Sequence, residues 1–112
     1  MASELPPVSK WNSEREFRAK VKHWSKKIKI ESSTVHLRPM AKKWASCSKS
    51  GLLSFNTDLL DERKEFGEYV IVHELLHLRV PNHGMLFKSL LKAYLPDWKE
   101  RANLQTTRRG AD

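Results

Sequence analysis

One hundred and twelve residues are enough for one hydrophobic core and too few for two, so a single domain spanning 1–112 is expected, with its ordered part at about 11–103. Apolar residues make up 39% and charged residues 30%, no apolar run approaches the roughly 18 residues of a membrane span, and the opening MASELPPVSK lacks the basic and apolar regions of a leader, so neither membrane insertion nor secretion is expected. The single Cys47 makes no internal disulfide, which excludes a stapled extracellular scaffold and suits the reducing cytoplasm. The net charge of +8 is concentrated in residues 1–43, with eleven Lys or Arg against four Glu; it points either to an anionic partner such as a nucleotide or nucleic acid, or simply to a solvated helix face.

In chain order, Pro6-Pro7 and the polar start predict a loose end. Phe17, Val21, Trp24 and Ile28 then recur at helical spacing from Ser13, with Ser13 and Glu16 three residues later forming a capping box, so a helix is expected over about 13–28. Residues 34–40 (TVHLRPM) and 51–56 (GLLSFN) alternate polar and apolar side chains around a turn-rich SCSKSG stretch, predicting two strands of a small antiparallel sheet. A short helix follows at 57–62, capped by Asn56 or Thr57. The central helix is read over 65–78 and is broken by Pro81, Asn82 and Gly84. A last helix runs over 85–95 on Leu86, Phe87, Leu90, Leu91 and Tyr94, and Pro96 stops it. The final ten residues read as a polar tail. The expected class is α+β.

The chemistry sits in the central helix. Residues 73–77 read His-Glu-Leu-Leu-His. Side chains four apart on a helix of 3.6 residues per turn lie about 40° apart around the axis, so both imidazoles leave one face and can share one metal ion. Glu74 lies about 100° round from His73, where it can reach a water molecule on that ion from the side. A shuffled chain of this composition would contain the pattern only about once in a hundred trials. A zinc site that does chemistry needs a third protein ligand and an open fourth position. His83 follows His77 by six residues, across the Pro81-Asn82 break, and is the best candidate. His23 lies on the first helix beside Trp24, and His36 lies in a strand from which it could line the cleft. Three neutral imidazoles would leave the dipositive charge of one Zn2+ intact, drawing the pKa of a bound water toward about 7, with Glu74 as general base.

These residues carry a resemblance. Lys42-Lys43-Trp44-Ala45-Ser46-Cys47-Ser48, Leu53-Ser54-Phe55-Asn56 with Leu59, the stretch from Tyr69 to Leu78, Asn82-His83-Gly84 with Phe87, and Pro96-Asp97-Trp98 together resemble the YgjP-like metallopeptidase domain, a zincin group related to the SprT-like peptidases. The resemblance covers about residues 15–100. It implies a minimal zincin: an N-terminal helix, a small sheet, an active-site helix and a C-terminal helix, with His83 as third ligand. Two positions depart from the family's pattern. Ala45 stands where Gly is common, which would alter a tight turn, and Gly84 stands where Ser is common, which removes a hydroxyl near the metal.

The remaining candidates have two readings each. Cys47 is either a thiolate that blocks the zinc in a latent form or contacts substrate, or, with Trp44, a core and turn residue beside the helix. Asn56, Arg79 and Asn82 either orient ligands or serve as caps and surface groups. Trp11, Trp24 and Trp98 are core residues in preference to base-stacking ones. The first functional reading is a zinc metallopeptidase acting on a protein or peptide, with a monomer favoured. The alternatives are a metal-dependent nucleoside triphosphate pyrophosphatase and a nucleic-acid-associated protease of the SprT-like kind.

Overall fold

The computed structural model describes residues 10–30, 34–105 and 110–111. The first helix, α1 (Glu14–Ile28), begins as its sequence dictates: the Ser13 hydroxyl accepts from the Glu16 N–H at 3.2 Å, and the Glu16 carboxylate reaches back to the Asn12 N–H at 2.6 Å. This satisfies two backbone donors that the helix itself leaves unpaired. Lys29, with φ 62°, ends the helix in the left-handed conformation, and the stripe Phe17, Val21, Trp24 and Ile28 is buried.

Three five-residue strands follow, β1 (Thr34–Arg38), β2 (Lys43–Cys47) and β3 (Leu52–Asn56), and the two-residue strand β4 (Gly110–Ala111) joins the outer edge of β2. The order is β1-β3-β2-β4. β2 and β3 are antiparallel, Ala45 opposite Phe55, whereas β1 and β3 are parallel, Thr34 opposite Leu52 through Arg38 opposite Asn56. The sheet is therefore mixed, where alternation in the sequence predicts an antiparallel one built from its first and third strands. The cause is the unpredicted β2. Residues 39–42 carry the chain past the end of β3, β2 runs back, and a tight turn then inserts β3 between its two predecessors, antiparallel to one and so parallel to the other. Asn56 fastens this crossing: its buried amide donates to the carbonyls of Met40 at 2.7 Å and Lys43 at 2.8 Å, while its Oδ1 accepts from the Asp58 N–H and caps the 3₁₀ turn Thr57–Asp61.

The helix α2 (Lys64–His77) is the spine of the molecule. Phe66, Gly67, Val70, Ile71, Val72, Leu75 and Leu76 are all buried, so apolar contact surrounds it and does not line a single stripe. Phe66 meets Trp44 of β2 edge to face at 5.3 Å, and Phe17 of α1 meets Phe55 of β3 in the same way. Gly67 is required where Trp11 crosses the helix, because a Cβ there would stand 2.7 Å from the indole nitrogen. After α2 come α3 (Met85–Tyr94) and the short α4 (Trp98–Ala102). Sequence periodicity does not predict α4; five residues are too few to show it, and tertiary pairing holds it in place. Glu68 of α2 accepts from Trp24 Nε1 of α1 at 2.7 Å and from Arg101 of α4 at 3.0 Å, so one carboxylate ties three helices together. No helix among the described residues is long and apolar enough to cross a membrane.

Candidate metal centre

α2 delivers its two histidines as helical geometry requires, on one face a turn apart, with ring centroids 4.8 Å from each other. The chain then unwinds through Leu78 to Val80, whose N–H groups still bond back to Leu75 and Leu76, and Pro81 ends the helical path. This brings His83 round to the same face, 4.4 Å from His77 and 5.1 Å from His73 between centroids. One ligand-capable nitrogen from each of the three rings lies within 4.8 Å of the others. Tetrahedral zinc with bonds of about 2.0–2.1 Å requires nitrogens about 3.4 Å apart, a distance that small side-chain rotations reach. The donor set, three imidazoles with no carboxylate or thiolate among them, suits a divalent ion of the zinc type.

Behind the triad lies one apolar wall. Phe87, four residues after His83 and buried, has its ring 5.2, 4.8 and 5.0 Å from the rings of His73, His77 and His83. Exposure rises across the three, with His73 buried, His77 intermediate and His83 exposed, so the cluster is closed on the core side and open toward solvent. Glu74 is fully buried, its Oε2 3.2 Å from His73 Nδ1. With Glu74 ionised, His73 Nδ1 would be the donor in this contact, which leaves the lone pair of Nε2 for a metal. Tyr69, one turn before His73, packs at 5.6 Å against that ring and stacks on Trp98. Burial, and after it the charge of Glu74, raises its hydroxyl above the ordinary tyrosine value, so it stays a neutral phenol at pH 7. On the solvent side a cavity of about 490 Å³ is lined by Cys47, Ser48, Lys49, His77, Leu78, Pro81 and His83.

Residues 4–105 match the YgjP-like metallopeptidase domain. The chain belongs to the YgjP-like family. It is 35% identical over 68 residues to an uncharacterized protein of Methanocaldococcus jannaschii, an alignment spanning 57% of this chain and 62% of that relative's length. Its fold is similar to the metallopeptidase zymogen of Pyrococcus abyssi abylysin, with a TM-score of 0.76 at 20% identity over 86% of this chain and 99% of that one. It is likewise similar to the metallopeptidase zymogen of Methanocaldococcus jannaschii jannalysin, with a TM-score of 0.69 at 29% identity, covering 76% and 88% of the two chains.

The fold brings some of the sequence-predicted residues of this YgjP-like domain together and not others. His73, Glu74, His77 and His83 converge, and Cys47 lines the cavity beside His77 and His83. Trp44 is in the core, with its indole N–H donating to Gln105 at 2.8 Å. Asn56 is committed to the strand crossing. Arg79 donates to the Lys29 carbonyl at the end of α1, and Asn82 is exposed in the loop before His83. His36 stands exposed on the edge strand β1, opposite Ser54, and does not line the cavity, and His23 lies edge-on to Trp24. Ala45 occupies the middle of β2 opposite Phe55 and affects no turn, and Gly84 has open space around its Cβ position. Sequence reasoning overlooked Tyr69, although it continues the stripe of His73 and His77 by one turn, and it overlooked Lys49, for which spacing gives no signal.

Proposed function

We propose that this YgjP-like chain hydrolyses peptide bonds in a protein or peptide, with His73, His77 and His83 holding one zinc ion and Glu74 acting as general base. The observation that carries the reading is the convergence of three imidazoles, one of them solvent-facing, beside a fully buried carboxylate in a chain of metallopeptidase family. When bound, zinc would supply Lewis acidity and an acidified water molecule at neutral pH. The rest is the work of the chain's own side chains. Glu74 takes a proton at its carboxylate and returns it to the departing amine. The long contact from Glu74 Oε2 to His73 Nδ1 keeps that carboxylate oriented and holds the imidazole in one tautomer. Phe87 excludes water from the back of the site, so a polypeptide approaches from the His83 side, where the cavity opens. The nucleotide reading rests on net charge alone, whereas the family match supports peptide hydrolysis.

The test compares wild type with Glu74→Gln on casein and on peptides, with zinc content measured in parallel. The expected result is cleavage by wild type and a loss of about 10²–10⁴-fold in the variant at unchanged zinc content. Full residual activity, or turnover of nucleoside triphosphates in place of peptides, would contradict the proposal.

A further inference from the structure

The cavity beside the triad has a composition that peptide-bond hydrolysis by itself does not require. Two of its lining residues are the candidate ligands His77 and His83, so whatever enters it lies next to the reacting bond. Leu78 and Pro81 from the end of α2 form an apolar wall. The lining also includes Lys49, from the turn between β2 and β3, which carries its one permanently charged side chain. No carboxylate among the described residues pairs with it.

The turn that carries Lys49 is braced on both sides. The Ser48 N–H donates to the Leu52 carbonyl at 2.9 Å, the Leu52 N–H donates to the Ser48 hydroxyl at 3.1 Å, and the Gly51 N–H donates to the Ser48 carbonyl at 3.1 Å. The hydroxyls of Ser48 and Ser50 lie 2.9 Å apart, and Gly51, with φ 92°, takes the left-handed position that closes the turn. The backbone of Lys49 is thus fixed against β3, and its side chain lines the cavity.

Resting on the peptidase reading above, we infer that this cavity receives the residue adjoining the scissile bond and that Lys49 selects a carboxylate there. An acidic side chain meets both halves of the lining, with its methylenes against Leu78 and Pro81 and its carboxylate at the Lys49 ammonium. The net charge of +8 acts in the same sense by attracting acidic polypeptides at long range. Lys49 is a specificity residue in this account, acting on the substrate side chain and not on the bond that breaks. A carboxylate has two sources in a peptide, an Asp or Glu side chain and the free C-terminus, and both are accommodated by the same ammonium.

The experiment uses the zinc-loaded full chain and matched fluorogenic peptides carrying Glu, Gln or Lys on either side of the cleaved bond, each with a free and an amidated C-terminus. Wild type, Lys49→Gln and Lys49→Glu are compared by the ratio of kcat/KM between Glu and Gln peptides, a quantity independent of how much active protein each preparation contains. A partly exposed ion pair predicts a wild-type preference for Glu of about two- to fivefold that fades in high salt. Lys49→Gln should abolish the preference, and Lys49→Glu should reverse it toward Lys. A Glu-over-Gln ratio that persists in the amidated peptides assigns the carboxylate to the side chain; a free-over-amidated ratio equal for Glu and Gln peptides assigns it to the chain end. Cleavage with neither a Glu-over-Gln nor a free-over-amidated preference, or a preference unaltered in Lys49→Glu, would overturn this inference and leave the peptidase reading intact. Failure of the zinc-loaded protein to cleave any peptide would overturn both.

Discussion

Replacing Phe87 by leucine separates the packing of the site from its ligand chemistry. The phenyl ring contacts all three imidazoles, at 5.2, 4.8 and 5.0 Å between centroids, and is almost fully buried. Leucine keeps the site apolar and fills most of the volume, a type of exchange that costs less than about 1.5 kcal/mol, and the lost ring-to-ring contacts add about 0.5–1.5 kcal/mol. The metal-free variant should therefore be less stable by roughly 2 kcal/mol, or about 8 °C in Tm at about 4 °C per kcal/mol for a domain of this size. The same ring sets where the three nitrogens sit, so zinc affinity should fall by about 10- to 100-fold, the usual effect of removing a group that orients ligands. Urea unfolding of the stripped protein gives the first number, and competition against a chromophoric chelator gives the second. A stability loss of the expected size with zinc affinity unchanged would refute the claim that Phe87 positions the triad.

Asn56→Ala should destabilise the fold by about 2–4 kcal/mol in urea unfolding, since it strands the Met40 and Lys43 carbonyls and the Asp58 N–H in a buried crossing, while zinc affinity stays near wild type because Asn56 touches none of the ligands. Gly84→Ser should be tolerated, and stabilising by a few tenths of a kcal/mol in the same assay, because Gly84 is the N-cap of α3, no side chain caps that end, and its Cβ position is open. A destabilisation above about 1 kcal/mol would show that serine strains the loop that presents His83.

The parts of the fold legible in the sequence are those whose cause is local. The capping box at Ser13 and Glu16, the stripe from Phe17 to Ile28 and the break at Pro81 each act within a few residues, and each element lies where these signals put it. The same holds for His73 and His77, because helical spacing alone joins them. His83 was reachable only through the chemistry of a third ligand and through family resemblance; its approach to the other two depends on how α2 unwinds over Leu78 to Val80. Strand order was not legible. Alternation marks residues 34–40 and 51–56 as strands but cannot reveal that Lys43–Cys47 is itself a strand and makes them parallel neighbours. α4 was hidden for a related reason, since Arg101 finds Asp97 and Glu68 only in the folded chain. The functional consequence is that the catalytic pattern was visible from five residues, whereas the cavity wall that Lys49 contributes required the β2–β3 turn to be seen in three dimensions.

The convergence of His73, His77 and His83 on one cation is tested most directly by titrating zinc into metal-stripped wild type, His83→Ala and Asn82→Ala. Wild type and Asn82→Ala should each take up one zinc per chain with similar affinity, and His83→Ala should bind at least about a hundredfold more weakly, because a direct ligand matters more than the groups that orient it. Zinc binding by His83→Ala as tight as wild type would contradict the account.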